Sequence, residues 1–308
     1  MSKSNKQTIL IAGGDGLVGK HLVNIIDTSK YHVIILSRKK KTSYQAGVEY
    51  AVWDTDKKTI DDIPSPDHII NLAGAGIADQ RWTDQRKTEL IASRVNSAET
   101  IKNYLKLHKI HPMTYVSASA VGYYGDRGTE ILTENSLPGN EFLSECCVAW
   151  EKDAWDAGAL CSRTIILRIG IVMSSLGGAL PKMLMTKKLG IFNYFGKGGQ
   201  YYPWIHITDL SRLCLESIEN QQFNGIYNAV APQQLTNKEM MKDIMQTGGM
   251  KGLLIPAPEF SFRWILGEMA NVVLNSDRIM SDRLLNSGFN FEHNKVGEAV
   301  VHVLQKNI

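Results

Sequence analysis

The chain has 308 residues, 44% of them apolar, enough to bury a full α/β core either as one enzyme-sized body or as a domain with a lobe. Its 34 Lys and Arg nearly cancel its 31 Asp and Glu, so composition argues against nucleic-acid and membrane partners. Cys146, Cys147, Cys161 and Cys214 show no CxxC spacing, MSKSNKQT carries no apolar signal core, and no uncharged stretch reaches the roughly 18 residues of a spanning helix; a soluble cytoplasmic protein is expected.

Apolar runs TILIA (8–12), HVIIL (32–36), VEYAVW (48–53), HIINLAG (68–74), MTYVSAS (113–119) and RTIILRIGIV (163–172) read as buried strands. Stretches 17–29, 84–108 and 141–158 carry helical patterning between them. Such alternation predicts an α/β protein with a Rossmann-type doubly wound parallel sheet. After about residue 172 the rhythm changes. GGALPKMLMTKKLG suggests a helix, YFGKGGQYYPW a loop, and IHITDLSRLCLESIE a strand end and a helix capped by Thr208 or Asp209. GIYNAVA (225–231) reads as a strand that returns to the sheet. The expected organisation is a dinucleotide-binding domain over 1–172, rejoined by 203–231, and an interleaved, smaller and mostly helical substrate lobe over 173–308. A helical C-terminal segment begins near 250.

The loop in ILIAGGDGLVGKHLV (9–23) follows a predicted strand and opens a predicted helix, the context that gives weight to a GxGxxG-like spacing. Its glycines allow a tight turn, so that backbone N–H groups around Gly13, Gly16, Leu17, Val18 and Gly19 approach a diphosphate at the positive helix end. Asp15 occupies the variable position and is expected to point away, solvated or paired with a base. At the end of the second strand, where an Asp or Glu selects NAD, stand Ser37, Arg38 and Lys39. A hydroxyl and a guanidinium suit a 2′-phosphate, so NADP is expected over NAD. The plain alternative is a solvated basic turn.

Together, AGGDGLVGKHL, IINLAGAGIADQRWTDQRKTELIASRV, VSASAVGYYGDRG, LTENS, FLSECCVAWE, LRIGIV, GGALPKML, PWIHITDL, YNAVAP and LGEMANVVL resemble an atypical branch of the short-chain dehydrogenase/reductase superfamily. That branch is the "epimerase family protein" group of the NAD-dependent epimerase/dehydratase-like proteins, and the resemblance covers nearly the whole chain. It implies that Asn71, Leu72, Ala73 and Gly74 lie along the cofactor, that Asp54 approaches the adenine, and that the region beyond about 250 is the group's C-terminal segment of unknown function. The loop holding Tyr201, Tyr202 and Trp204 would roof the substrate cleft.

Active short-chain reductases use a strand-end Ser or Thr and a Tyr-x-x-x-Lys pair on the next helix, where four-residue spacing lets Lys lower the Tyr pKa. Alignment of FLSECCVAWE puts Leu143 and Cys147 at those positions, and a one-residue shift puts Phe142 and Cys146 there. The resemblance likewise implies a branch lacking the pair. Ser119 matches the strand-end serine; GYYG supplies Tyr123 as a substrate contact and Tyr124 as substitute acid, with Glu134 next in line. Glu145, near the opposite helix face from Cys147, is a further carboxylate candidate, and Asp209 reads as a helix cap or a substrate contact. Tyr202, Trp204 and His206 are candidate substrate contacts, against lobe packing for the aromatics and a strand histidine for His206. No His and Cys pattern gathers around Cys147, so no metal is expected. Met240, Met241, Met245, Met269 and Met280 read as core filler. The reading is an NADP-binding oxidoreductase or epimerase-like enzyme of an unidentified small molecule; the alternative is a non-catalytic dinucleotide-bound sensor or interaction protein. The oligomeric state is open.

Overall fold

The computed structural model describes residues 6–43 and 45–308, so the leading MSKSN of the N-terminal reading lies outside the described residues. Seven strands run parallel in one sheet: β1 (Gln7–Ala12), β2 (Tyr31–Ser37), β3 (Val48–Asp54), β4 (His68–Asn71), β5 (Thr114–Ala120), β6 (Arg163–Ile169) and β7 (Gly225–Ala229). Their order is β7-β6-β5-β4-β1-β2-β3, with the short strand Thr59–Ile60 antiparallel at the β3 edge. The strand order reverses between β1 and β4, and at such a point the loops diverge and leave a crevice at the carboxyl ends of the strands.

Continuous apolar runs form these strands because both faces of a parallel sheet are covered. Ile9 and Ile11 pack on one side with Leu22 and Val23 of α1 (Leu17–Ile25) and with Leu210 and Leu213 of α4 (Ile207–Glu219). Leu10 and Ala12 pack on the other with Ile101 and Leu105 of α2 (Asp84–His108) and Ala154 and Ala157 of α3 (Phe142–Gly158). Thr83 starts α2 by accepting the Arg86 N–H, and left-handed Lys109 ends it, which matches the predicted span of 84–108. α1 stops at Ile25, short of 29, because Asp27 turns the chain by accepting from Ser29 and, through its carbonyl, from Lys30 and Tyr31.

Three local expectations are corrected. The run 163–172 is two strands: it breaks at Gly170, and Ile171–Met173 leaves the sheet to pair with Trp204–His206. GGALPKMLMTKKLG holds only a four-residue helix, Leu180–Met183, and one turn of 3-10 helix, Lys187–Leu189, across which Thr186 Oγ1 donates to the Ile191 carbonyl and folds the chain back. α4 is capped by His206, whose Nδ1 accepts the Thr208 N–H at 3.0 Å, and not by Thr208 or Asp209. GIYNAVA does return to the sheet, pairing along β6.

The remaining chain builds a second core. Trp204, Phe192, Met240, Met241 and Ile244 pack with Val296, Ala299, Val300 and Val303. Trp204 and Phe192 come from the short strands Trp204–His206 and Ile191–Phe195, the next three from α5 (Asn237–Thr247), which starts in a Thr236–Glu239 capping box, and the last four from α7 (Val296–Lys306); α6 (Glu259–Leu266) lies between these helices in the sequence. Arg278–Ile279 pairs in parallel with Ile131–Leu132 and so fastens the C-terminal segment to the loop after β5. No helix among the described residues is long and apolar enough to cross a membrane.

Candidate functional site: a dinucleotide cleft and an apolar cavity

The crevice is a cleft of about 940 Å³ lined by Gly13, Asp15, Ser37, Arg38, Lys39 and Lys41 on one side and by Ala73, Gly74 and Arg86 on the other. Gly13 is left-handed, and a Cβ there would lie 2.7 Å from the Leu72 carbonyl; a Cβ on Gly19 would lie 2.3 Å from the Gly13 oxygen. Only glycine allows strand, loop and helix to approach so closely. Gly16 caps α1 without a side chain, and the first intrahelical bond runs from Lys20 N–H to Gly16 O. The N–H groups of Leu17, Val18 and Gly19 therefore precede that ladder and carry the positive end of the helix dipole. The side chains of Leu17 and Val18 pack into the cores, so only their backbones serve the cleft.

Asp15 lines the cleft, against the expectation that it points away, and it is paired with a base: Lys41 Nζ lies 2.5 Å from Oδ2, and the Tyr50 hydroxyl donates to Oδ1. Ser37 is buried at the end of β2, and Arg38 is exposed with no side-chain partner among the described residues. Asn71 donates to Ser97 and Tyr115 and accepts the Ala73 N–H, which fixes the Leu72–Gly74 turn. Asp54 departs from expectation. Its carboxylate accepts from the backbones of Asp56 and Lys57, a hydrogen-bonded turn that also lowers its pKa, while neighbouring Trp53 and Thr55 line the cleft. The cleft fits a dinucleotide by its donor set: helix-end N–H groups, basic side chains at β2, and a buried Arg86 Nε that lacks a partner.

The structure overturns the proton-transfer candidates. Ser119, Arg168 and Asn228 stand side by side on β5, β6 and β7, in register. Ser119 Oγ donates to Glu151 Oε1 at 2.7 Å, and Glu151 of α3 takes both the Nε and Nη2 of Arg168 at 2.8 Å. Arg168 Nη1 donates to the Tyr124 hydroxyl, which donates to Asn228 Oδ1 at 2.6 Å. Tyr124 is fully buried, and burial pushes its phenol up to about 12. Its proton is committed to Asn228, so it is a structural member of this network and not a substitute acid. Ser119 is committed likewise. Tyr123 lends its ring face to the Arg168 guanidinium, 3.5 Å from the ring centroid, and Glu134 accepts the Asn228 N–H. Burial lowers the proton affinity of Arg168, but the hydrogen bond and charge of Glu151 reverse this and raise it overall. Glu151, Arg168 and Asn228 were missed; the signal was an arginine inside the apolar run LRIGIV, since a buried charge requires a partner.

Beyond the end of β5 lies a mostly apolar cavity of about 240 Å³. Leu143 and Cys147, at the Tyr and Lys positions of the usual pair, are on its wall with Arg94, Trp150, Tyr202 and Asp277. Cys147 donates weakly to the Ala120 carbonyl, and burial pushes its thiol up to about 12, which leaves it inert. Tyr202 lines the cavity, and its hydroxyl is spent on the Val273 carbonyl. Trp204 does not; it is fully buried in the second core, its Nε1 donating to Gln233 O at 3.2 Å. His206 is buried as well, and caps α4.

His206, His293 and His302 bring potential metal-ligand atoms within 4.8 Å of one another. With Nδ1 of His206 accepting the Thr208 N–H, its ring proton sits on Nε2, 3.1 Å from His302 Nδ1. The group is a hydrogen-bonded chain, with the His293 ring stacked 3.7 Å from that of His206.

A doubly wound parallel sheet with a glycine loop and a cleft at its switch point defines the chain as a Rossmann-type α/β protein. The model of the NAD dependent epimerase/dehydratase family matches residues 9–229, and that of a domain of unknown function (DUF1731) matches 257–303. The chain belongs to the NAD dependent epimerase/dehydratase family. It is 31% identical over 298 residues to the epimerase family protein YfhF of Bacillus subtilis, covering 96% of this chain and 97% of that one. It is 30% identical to the chloroplastic epimerase family protein SDR39U1 homolog of Arabidopsis thaliana, covering 98% of this chain and 88% of that one. The crystal structure of human epimerase family protein SDR39U1 (isoform 2) with NADPH superposes with a TM-score of 0.87 at 27% identity, covering 97% of this chain and 99% of the human one.

Proposed function

We propose that the chain binds NADP(H) and uses it on a small carbonyl or alcohol compound held in the apolar cavity. The observation that carries this reading is the basic end of β2: Ser37, Arg38, Lys39 and Lys41 line one wall of the cleft, Asp15 beside them is offset by Lys41, and the other acid of the lining, Asp79, lies beside Gly76. A 2′-phosphate gains ion-paired hydrogen bonds there, whereas a neutral 2′-hydroxyl can accept a single weaker bond and gains no ion pair. The human structure with NADPH supports the same choice. Gly13, Gly16 and the α1 N-terminus would hold the diphosphate, and Ala73 and Gly74 the opposite flank. When bound, the nicotinamide would supply or accept a hydride; the residues of the chain bind, orient and exclude water. Calorimetric titration tests the reading: NADPH is expected to bind at least tenfold more tightly than NADH, and equal affinities overturn it.

One observation favours a sensor without turnover: both Ser119 and Tyr124 are consumed by the buried Arg168 network. Loss of NADPH absorbance on addition of a panel of carbonyl compounds supports the enzyme; bound NADPH that stays silent to all of them supports the sensor.

A further inference from the structure

We infer that Asp277, brought in by the C-terminal segment, is the proton-donating catalytic residue of the apolar cavity, doing the work that a tyrosine and lysine on α3 would otherwise do. The inference rests on the reading of the cleft as a nicotinamide-dinucleotide site.

Place is the first argument. Asp277 lines the same cavity as Leu143 and Cys147, and as Ala120, Val121 and Gly122 at the end of β5. It therefore shares a space with the positions from which the usual proton donor acts, but enters from the opposite lobe. Its backbone is held on both sides: its N–H donates to the Tyr201 carbonyl at 3.2 Å, and the next two residues, Arg278 and Ile279, pair with Ile131 and Leu132.

Bonding is the second. Asp277 Oδ1 is buried without a hydrogen-bond partner among the described residues, whereas the Ser119 and Tyr124 hydroxyls both donate to protein acceptors. Buried polar atoms are nearly always paired, so this oxygen and Trp150 Nε1, also unpaired on the same wall, are free to meet a bound molecule.

Charge is the third. Arg94 shares the cavity, but its guanidinium donates to the carbonyls of Leu90 and Ala75 and lies over the Trp150 ring. Arg278 donates to Gln234 and lies over Tyr201. The neighbouring carboxylates are occupied elsewhere: Asp126 accepts from the backbones of Gly128 and Ser276, and Glu141 accepts from Asn275. Burial, and then repulsion by Asp126 and Glu141, pushes the Asp277 carboxyl up to about 8. Also on the cavity wall, burial raises the Cys146 thiol, pushes the Cys147 thiol to about 12 and raises the Tyr202 phenol further; Tyr201 is there too, with Arg278 over its ring. Asp277 is then a neutral acid at pH 7, able to donate where Cys146, Cys147 and Tyr202 are held back.

In the reductive direction the carbonyl carbon gains a hydride from a reduced nicotinamide dinucleotide, and the π pair of C=O moves to oxygen. The Asp277 O–H bond breaks, its proton joins that oxygen to give the alcohol, and water reprotonates the carboxylate. The substrate class follows: a neutral carbonyl compound with an apolar body, since a carboxylate at that end would meet Asp277, Asp126 and Glu141.

The test is the infrared difference between the full chain and Asp277→Asn, titrated with saturating NADPH or NADP+. A protonated carboxyl band present in the wild type at neutral pH, absent in Asp277→Asn, is expected to fade as pH rises through about 8. The positive nicotinamide of NADP+ is expected to lower that midpoint by about half a pH unit or more relative to NADPH. Asp126→Asn, which keeps the acceptor oxygen but removes a like charge, is expected to lower it also. A carboxyl already ionised at pH 6, or a midpoint the same with both dinucleotides bound, overturns the inference and leaves the cofactor reading intact. If calorimetry finds that neither dinucleotide binds, the cofactor reading falls and this one with it.

Discussion

Arg38 and Tyr124 behave in opposite ways although both were read from short local motifs. Arg38 is exposed on the wall of the cleft, so Arg38→Ala breaks no side-chain bond among the described residues and would remove only the proposed contact to the 2′-phosphate. Losing one charge-assisted bond costs about 1.5–3 kcal/mol, and calorimetry is expected to show NADPH affinity falling about tenfold to a hundredfold with NADH affinity nearly unchanged. Tyr124→Phe strands the Asn228 acceptor and one Arg168 donor in the interior. It is expected to lower stability by about 1–3 kcal/mol in urea unfolding, with NADPH affinity retained. A variant as stable as the wild type would remove the structural role assigned to this phenol. Gly-rich spacing and the basic strand end were legible because each lies within a few consecutive residues. The fate of the Tyr124 hydroxyl was not, since its acceptor Asn228 is 104 residues away.

Among the elements, α3 and β6 are joined by the Glu151–Arg168 pair, almost wholly shielded from water. Removing one partner of such a pair leaves an uncompensated charge inside, so Glu151→Ala is expected to cost about 3–5 kcal/mol and Glu151→Gln less; equal stability of all three proteins in urea would contradict this. α4 and α7 meet through the histidine chain. Burial first, and then the neighbouring imidazoles, push His206 down to about 2, and His302 is lowered by burial and by His293. His206 stays neutral in the folded protein while the unfolded chain takes up a proton there below the ordinary value near 6.5. Its contribution to stability is therefore complete above that pH and is lost as the pH drops below it, by about 1.4 kcal/mol per pH unit, and His302 acts in the same direction. Urea midpoints between pH 7 and 5 are expected to fall less steeply in His302→Gln than in the wild type; identical slopes would refute the assignment. The strands and the span of α2 could be read from periodicity and capping, which are local. The break at Gly170 could not: it exists because Ile171–Met173 finds a partner in Trp204–His206, some thirty residues on.

At the scale of the molecule, the two lobes share packing: Val172 touches both the sheet core and the second core, and β7 returns from one to complete the other. Calorimetry of the cofactor-free chain is expected to show one cooperative transition, and two resolved transitions would show the lobes to be independent. A version ending at residue 250 would lose α7 and leave Trp204, Met240 and Ile244 uncovered, so it is expected to aggregate and not to yield a clean dinucleotide domain. The order of the chain adds a consequence in time. Every strand of the central sheet precedes residue 230, whereas Asn275 and Asp277 of the cavity wall come later. During synthesis the sheet is therefore complete in sequence well before the second core is, and the residues that cover Trp204, Met240 and Ile244 are among the last to leave the ribosome. An unfinished chain would thus carry bare apolar surface until its final helix arrives.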